Sequence, residues 1–564
     1  PLRLERQLPV TILFYSRVHP SYFEGENRIG EAAWRLCYTD GGAVGPSPAR
    51  TRLLDEVIRL AEAMHDKNPF GEVPFDGGKT ILVQEGTHFQ AVTALFGALG
   101  MSLFILGKGG IRYYSNGPVN MEEKRRALEQ WAGSSVLAGV LSQRYIGGPD
   151  MRMGEEEMAW VDAAAREMGA VRGLRQHPPV TGLAAEAGGF PHLAWELTGR
   201  TVAASLQEAL RHPGMVHYGL AERRPIRVLI QGFGDVGGSV ARLLTEEAPA
   251  GSFAITGVAD EFGAVFRAEG LDVPALLRLR AARRPIVEYT GPVDALWIAT
   301  STATDTTRPG FRGTDSRELI VEEADVFIPA AIPNVIDAAT AQRLRVKLVA
   351  EGANNAVVPH VEDVLHQLGI LYLPGQALNW GGVKSSTLEA LFRESTKCRL
   401  PFEQVEKCVR EALLPLGSSV DLGWTLDWLR SGLPGPPLDL EETRAFAIAI
   451  LEDLARSNTR WLMRELVASG HQRTPLQLVR SLARGVRALK VQLLSLIEQG
   501  LGVEFFAADT SLPRLMTLLD ERLKELLFDA GNTTLTDIQV AEQRQMLQQL
   551  QTDIPNCLLY TSPS

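Results

Sequence analysis

The chain has 564 residues, 45% hydrophobic and 22% charged, with a net charge of −10. This is the balance of a globular protein of about three or four domains, not of a disordered chain. The acidic excess argues against nucleic acid or an anionic membrane as the main partner. Cys37, Cys398, Cys408 and Cys557 show no CxxC spacing and no histidine cluster beside them, so reduced thiols are expected rather than disulfides or a metal site. No signal-peptide pattern is present, the start at Pro1 without Met leads us to expect a missing upstream part, and CLLYTSPS at 557–564 reads as a non-native tail.

In chain order, residues 8–40 hold short apolar runs such as Val10 to Tyr15, which predict strands, and Asp40 to Pro48 is a glycine- and proline-rich loop. Leu54, Val57, Ile58 and Ala61 have helical spacing within Leu53 to Met64, and Thr80 to Val83 predicts a strand. Ala91 to Leu106 is the most apolar run. It contains Gly97 and Gly100 and is short for a membrane span, so a buried helix or helix-plus-strand is expected. Helices are predicted at Glu122 to Leu141, Glu155 to Met168 and Thr198 to Leu210.

From there strands at 226–230, 254–259, 294–298, 325–328, 346–350 and 370–373 alternate with helical patterns, which implies a doubly wound, mostly parallel sheet. After about residue 388 the chain reads as helical, with candidates at 402–415, 440–468, 475–499 and 511–528 and a proline-rich break from Ser431 to Pro437. Gln543 to Gln551 reads as a frayed amphipathic helix. Leu476, Leu478, Leu482 and Leu489 fit an assembly face and an intramolecular helical core equally well.

Residues 226–244 read IRVLIQGFGDVGGSVARLL. A buried-strand pattern runs into Gly232, Gly234 and Gly237, and a helical pattern follows at Val240, Leu243 and Leu244. Gly232 permits a tight turn, Gly234 lets backbone approach a pyrophosphate, and Gly237 lets the helix pack on its strand. The helix start then offers unpaired N–H groups to phosphate. A second strand, Phe253 to Ala259, ends at Asp260, 23 residues after Gly237, where a carboxylate accepts from ribose hydroxyls.

The fold class is therefore α/β. We expect residues 1–195 to form an N-terminal α/β domain, 196–390 a Rossmann-like dinucleotide-binding domain, 391–556 a C-terminal helical region and 557–564 the tail.

Outside this turn, Lys67 closes a predicted helix and is ordinarily a partner of the helix dipole. Lys79 follows two glycines and enters an apolar strand, where partial desolvation would lower its pKa. Asp150 ends Gly147-Gly-Pro-Asp150 just before a helix. It is a helix cap or turn residue on one reading and a proton carrier facing a lysine on the other. Asn379-Trp-Gly-Gly-Val-Lys-Ser-Ser386 is a polar glycine turn entering a helix, either a plain helix start or a set of donors for a carboxylate.

Taken in order, these strings resemble the glutamate dehydrogenase family of amino-acid dehydrogenases. They are Met64-His-Asp-Lys67-Asn with Gly77-Gly-Lys79, Gly148-Pro-Asp150 with Met158-Ala-Trp160, Thr198-Gly-Arg200, Gln231-Gly-Phe-Gly234, Ile328-Pro-Ala-Ala331, Glu351-Gly-Ala-Asn354 and Asn379-Trp-Gly-Gly-Val383. The match covers roughly 40–392. Gly188-Gly-Phe-Pro-His192, the Asn379 to Glu389 string and the long helical C-terminal region are similar to the large-subunit, NAD-specific branch.

The resemblance implies NAD-dependent oxidative deamination of L-glutamate to 2-oxoglutarate and ammonium. It implies Lys79 as the catalytic lysine that activates water, Asp150 as the acid/base group and Lys67 as the partner of the α-carboxylate. Asn379 and Ser386 would be further substrate contacts, Thr198 would hold the nicotinamide carboxamide, and Asn354 would lie beside it. Asp260 fits NAD, because its charge repels a 2′-phosphate. A homo-oligomer in the cytoplasm, or in the mitochondrial matrix of a eukaryote, is also implied.

Two departures stand out. The family's KGGIR or RGGIR loop before the lysine pair reads Asp40-Gly-Gly-Ala-Val44 here, without either cation, while a KGGIR string occurs later, at Lys108 to Arg112. Lys79 and Lys108 therefore compete for the catalytic position. The lost cations also leave room for an apolar amino acid as substrate, or for a homologue that binds nucleotide without catalysis. Turnover of Lys79→Ala and Lys108→Ala, measured side by side, separates the two lysines. The variant at the catalytic position is expected to lose turnover while keeping NAD binding.

Overall fold

The computed structural model describes residues 10–11, 31–39, 48–71, 73, 75–85, 88–98, 107–115, 118–137, 139–142, 145–172, 178–299, 307–393 and 439–483. The loop carrying Asp40 and Val44, the helical candidates 402–415 and 511–528, the second half of 475–499, the Ser431 and Gln543 segments and the tail lie outside them. The chain forms two compact units. The first comprises Pro1–Pro191, Val383–Arg444 and Ser481–Ser564, and the second comprises His192–Gly382 and Ala445–Arg480.

The first unit is built on a six-stranded mixed sheet. Its strands are β1 (Val10–Thr11), β2 (Glu31–Thr39), β3 (Asp76–Glu85), β4 (His88–Ala98), β5 (Gly107–Ser115) and β6 (Tyr145–Pro149), in the order β1-β2-β4-β3-β5-β6. β4 runs antiparallel to β2 and β3, whereas β3, β5 and β6 are parallel. The helix component expected within Ala91 to Leu106 is corrected as far as Ala98: that stretch is strand, paired on both sides. Strand pairing satisfies the backbone of this apolar run, and its β-branched and aromatic residues suit a sheet buried on both faces.

Period-two alternation sorts the two faces. Leu82, Ile111 and Tyr113 join a core with Leu128 and Trp131 of helix α2 (Met121–Leu137) and Met158 and Val161 of helix α3 (Glu155–Arg172). Ile81 packs on the opposite side against Val57, Leu60 and Ala61 of helix α1 (Pro48–Phe70). Lys79 shares the parity of Ile81, and Lys108, Gly110 and Arg112 alternate with Ile111 and Tyr113. Lys79, Lys108 and Arg112 thus lie on the face away from the larger core.

The second unit holds an eight-stranded sheet. Five parallel strands are β7 (Ile226–Gln231), β8 (Phe253–Asp260), β12 (Val326–Pro329), β13 (Leu348–Ala350) and β14 (Leu371–Leu373). β9 (Gly263–Phe266) runs antiparallel between β8 and β10 (Ala295–Ile298), and β11 (Phe311–Gly313) closes the edge, giving β11-β10-β9-β8-β7-β12-β13-β14. The sequence did not announce β9, whose four residues carry too little pattern to read. The order reverses beside β7, so the crevice at its carboxyl end is the switch point where such sheets bind ligands. Helices α4 (Leu197–Arg211) and α5 (Asp235–Arg242) pack together, and α5 starts directly after the glycine turn.

Gly77 sets how closely α1 meets β3. A Cβ there would lie 2.2 Å from the Ala61 carbonyl oxygen and 2.4 Å from the His65 nitrogen, both backbone atoms that cannot step aside. Gly77→Ala is expected to cost about 1–3 kcal/mol through overpacking, read as a lowered thermal midpoint. Gly234→Ala, whose Cβ would meet nothing within 4 Å, is expected to leave that midpoint unchanged.

Candidate functional site

In the first unit, parallel pairing of β3, β5 and β6 brings three segments distant in sequence to one place. The Lys79 ammonium forms an ion pair with Asp150 Oδ2, with side chains 2% and 17% exposed. Arg112 Nε donates to the same Asp150 oxygen at 3.3 Å. Arg112 Nη1 also donates to Glu56 Oε1 and Tyr114 Oη, each at 3.1 Å, and Tyr114 Oη donates to Glu56 Oε1 at 2.7 Å. Gly110 leaves room for this group: a Cβ there would lie 2.9 Å from Lys79 Nζ and 2.8 Å from Asp150 Cβ.

Burial pushes the Lys79 ammonium below its ordinary value, against the pull of Asp150 and with help from the like charge of Arg112. Burial alone would raise Asp150, but Arg112 and Lys79 outweigh it and hold the carboxyl well below the usual range. The arrangement is a buried carboxylate kept ionised next to a lysine whose pKa burial lowers.

Lys108 stands in a second cluster. Its Nζ donates to Thr181 Oγ1 at 2.7 Å and to the Gly147 carbonyl at 3.5 Å. Gly148 fills the gap, since a Cβ there would lie 3.1 Å from Ser386 Oγ, 3.6 Å from Thr181 Oγ1 and 3.7 Å from Lys108 Nζ. Burial lowers the Lys108 pKa, and the charge of Glu389 opposes it. Glu389, on the helix Gly381–Arg393 with Ser386, accepts from Gly182 N at 2.6 Å and Phe190 N at 2.9 Å, fixing the segment that carries Thr181. Lys67 is 3% exposed in the last turn of α1. The neighbouring Asn68 Nδ2 donates to Phe75 O at 2.9 Å and Lys108 O at 3.5 Å, tying that helix end to β5.

In the second unit, Gly232 adopts φ 93°, and a Cβ would lie 2.6 Å from Ala331 Cβ. Gly237 passes so close that its Cβ would fall 1.9 Å from Gly232 O, while Gly234 faces open space. This is the cradle a pyrophosphate requires at a helix start. Asp260 ends β8, with Oδ1 accepting from Phe262 N at 2.8 Å and Gly263 N at 3.1 Å and Oδ2 accepting from Ile286 N at 2.8 Å. Burial raises its pKa, and those three donors oppose the shift. Its role is thus partly to close the β8–β9 turn, a duty its position in sequence did not reveal.

Thr198 opens α4, and a Cβ on Gly382 would lie 2.9 Å from its hydroxyl, so it borders the Asn379 glycine turn. Asn379 Nδ2 donates to Gly352 O at 3.0 Å, joining that turn to the Glu351–Asn354 loop. Asn379 belongs to the second unit and Ser386 to the first.

Sequence reasoning missed Arg112, Thr181, Glu56 and Glu389 as site residues. Arg112 had a signal: strand alternation puts it on the same face of β5 as Lys108. Thr181 and Glu56 had none, because their partners lie 73 and 56 residues away. Among the described residues no group of His, Cys, Asp or Glu could hold a metal ion, and no helix is long and apolar enough to cross a membrane.

The second unit is a doubly wound sheet of the dinucleotide-binding type, and the first holds a buried lysine–aspartate pair. Residues 188–414 match the model of the Glutamate/Leucine/Phenylalanine/Valine dehydrogenase family. It is 30% identical over 285 residues to a glutamate dehydrogenase of Thermotoga maritima, covering 50% of this chain and 60% of that one. It is 33% identical over 273 residues to a probable glutamate dehydrogenase of Sinorhizobium fredii, covering 48% and 56%. An NADP-specific glutamate dehydrogenase of Saccharolobus shibatae is 28% identical over 355 residues, covering 62% and 67%. The chain thus spans 60% and 56% of the first two relatives' length.

Arg112→Met tests the electrostatics. Removing this like charge raises the Lys79 pKa, so any activity that needs the neutral amine is expected to have its acid limb displaced to higher pH. A pH profile of kcat/KM that coincides with that of the unaltered protein excludes Arg112 from this role.

Proposed function

We propose that the protein catalyses NAD-dependent oxidative deamination of L-glutamate, with water, to 2-oxoglutarate and ammonium. The observation that carries this reading is the buried Lys79–Asp150 pair braced by Arg112. Bound at the Gly232–Gly237 turn, the nicotinamide dinucleotide supplies the acceptor for the two electrons and the hydrogen leaving the substrate Cα. Asp150, held ionised by two cations, takes a proton from the α-ammonium so that nitrogen can share its electron pair with Cα. Neutral Lys79 removes a proton from the water that adds to the resulting imine carbon, and collapse of that adduct releases ammonia. Lys67 is assigned to the α-carboxylate.

The side-chain carboxylate of glutamate needs a cation, and Asp40 and Val44 offer none. Lys108 supports an alternative: a buried ammonium with two hydroxyls near it and, among the described residues, no ion-pair partner. A buried carboxylate gains from such a charge and a buried alkyl chain does not, which favours glutamate over an apolar amino acid. Asp260 favours NAD, since its charge stands at the end of β8, where the ribose lies in this fold.

Asp150→Asn is expected to lower kcat by about 10²–10⁴-fold with NADH binding preserved; unchanged kcat sinks the mechanism. Lys108→Met is expected to lower kcat/KM for glutamate far more than for leucine. An equal loss on both substrates removes Lys108 from side-chain recognition.

A further inference from the structure

Glu351 directly follows β13 and is 1% exposed. Its carboxylate gathers four donors. Oε1 accepts from Ala356 N and from Val357 N at 3.3 Å, and Oε2 accepts from Tyr372 Oη at 2.7 Å and Gly375 N at 2.6 Å. Two of these fix the loop that carries Asn354. The Gly375 bond fixes the first N–H of the short helix Gly375–Leu378, whose C-cap is Asn379.

Gln376 and Asn379 are 7% and 6% exposed, and Gln376 Oε1 and Asn379 Oδ1 are both buried without a hydrogen-bond partner among the described residues. Buried carbonyl oxygens are ordinarily paired, so an orphan needs an explanation. These two stand three residues apart on one short helix at the carboxyl edge of the sheet. The carboxamide is the only N–H donor at the nicotinamide end of a dinucleotide, and it has two hydrogens to give.

We propose that Glu351 is a positioning residue that holds Gly375–Asn379 so that Gln376 and Asn379 accept from the nicotinamide carboxamide. The proposal rests on the reading that the second unit binds a nicotinamide dinucleotide. Glu351→Gln keeps shape but turns an amide toward one pair of donors. Tyr372 can reverse its hydroxyl to meet it and Gly375 N–H cannot, which frees the turn. Gln376→Met removes one acceptor at similar volume.

The test compares NADH and ADP binding to the full chain by titration calorimetry, with thermal midpoints recorded for each variant. ADP probes the glycine turn and the ribose position at Asp260 without the nicotinamide half. Both variants are expected to weaken NADH by about tenfold, the worth of one or two buried hydrogen bonds, and to leave ADP affinity within about twofold. Tyr372→Phe, a milder change, is expected to follow Glu351→Gln in direction. Equal loss of NADH and ADP means a general structural role and overturns the proposal, as does unchanged NADH affinity in both variants. If the unaltered chain binds ADP and NADH equally, the nicotinamide half makes no contact and the acceptor assignment fails. If it binds neither, the dinucleotide reading itself fails.

Discussion

The constraint on which this molecule turns is the cost of keeping charge out of water. Lys79, Arg112 and Asp150 are nearly enclosed, and a buried charge without a partner is costly. They are tolerated because two cations share one carboxylate and Arg112 takes a second anion, Glu56, through its other nitrogen. Breaking such a group leaves an uncompensated charge, at a cost of about 3–5 kcal/mol. The same arrangement tunes the chemistry. Asp150 is held charged while the Lys79 pKa is lowered, the kind of separation between neighbouring groups that acid–base chemistry uses.

Each unit repeats one structural device around its own site. Glu389 in the first and Glu351 in the second are enclosed carboxylates that collect backbone N–H groups from loops with no regular secondary structure to satisfy them. A buried loop is costly unless its polar backbone finds partners. A single carboxylate with two oxygens satisfies three or four donors at once and thereby fixes the loop. The residues so held are Thr181 beside Lys108 in one unit and Asn379 in the other.

The glycines do complementary work. Gly110 and Gly148 remove side chains where the Lys79–Asp150 and Lys108–Thr181–Ser386 groups sit, and Gly234 leaves open space at the start of α5. Removing Cβ atoms from a strand weakens it modestly, and here the space gained is filled by functional groups rather than by apolar packing.

Much of the fold was legible in the sequence because its signals are local. The strands at β7, β8, β10, β12, β13 and β14 are continuous apolar runs separated by helical patterns, and the helix at Leu440–Ala468 has the bounds its periodicity predicts. The glycine turn needed only neighbouring residues to be read. Ala91 to Ala98 misled, since a continuous apolar run suits a buried helix and a buried strand alike, and only pairing with β2 and β3 decides it. Lys79 and Asp150 were identified as residue types in motifs, but their contact depends on β5 and β6 lying parallel beside β3. The roles of Arg112, Thr181, Glu351 and Glu389 depend on partners far along the chain, and a buried acid carries the same letter as a surface one. The sequence by itself determined which local elements form and where the nucleotide turn lies, because backbone propensity and hydrophobic period act over a few residues. Only the tertiary structure decided which charges neutralise which, because burial and Coulomb energy depend on distance in space and not along the chain.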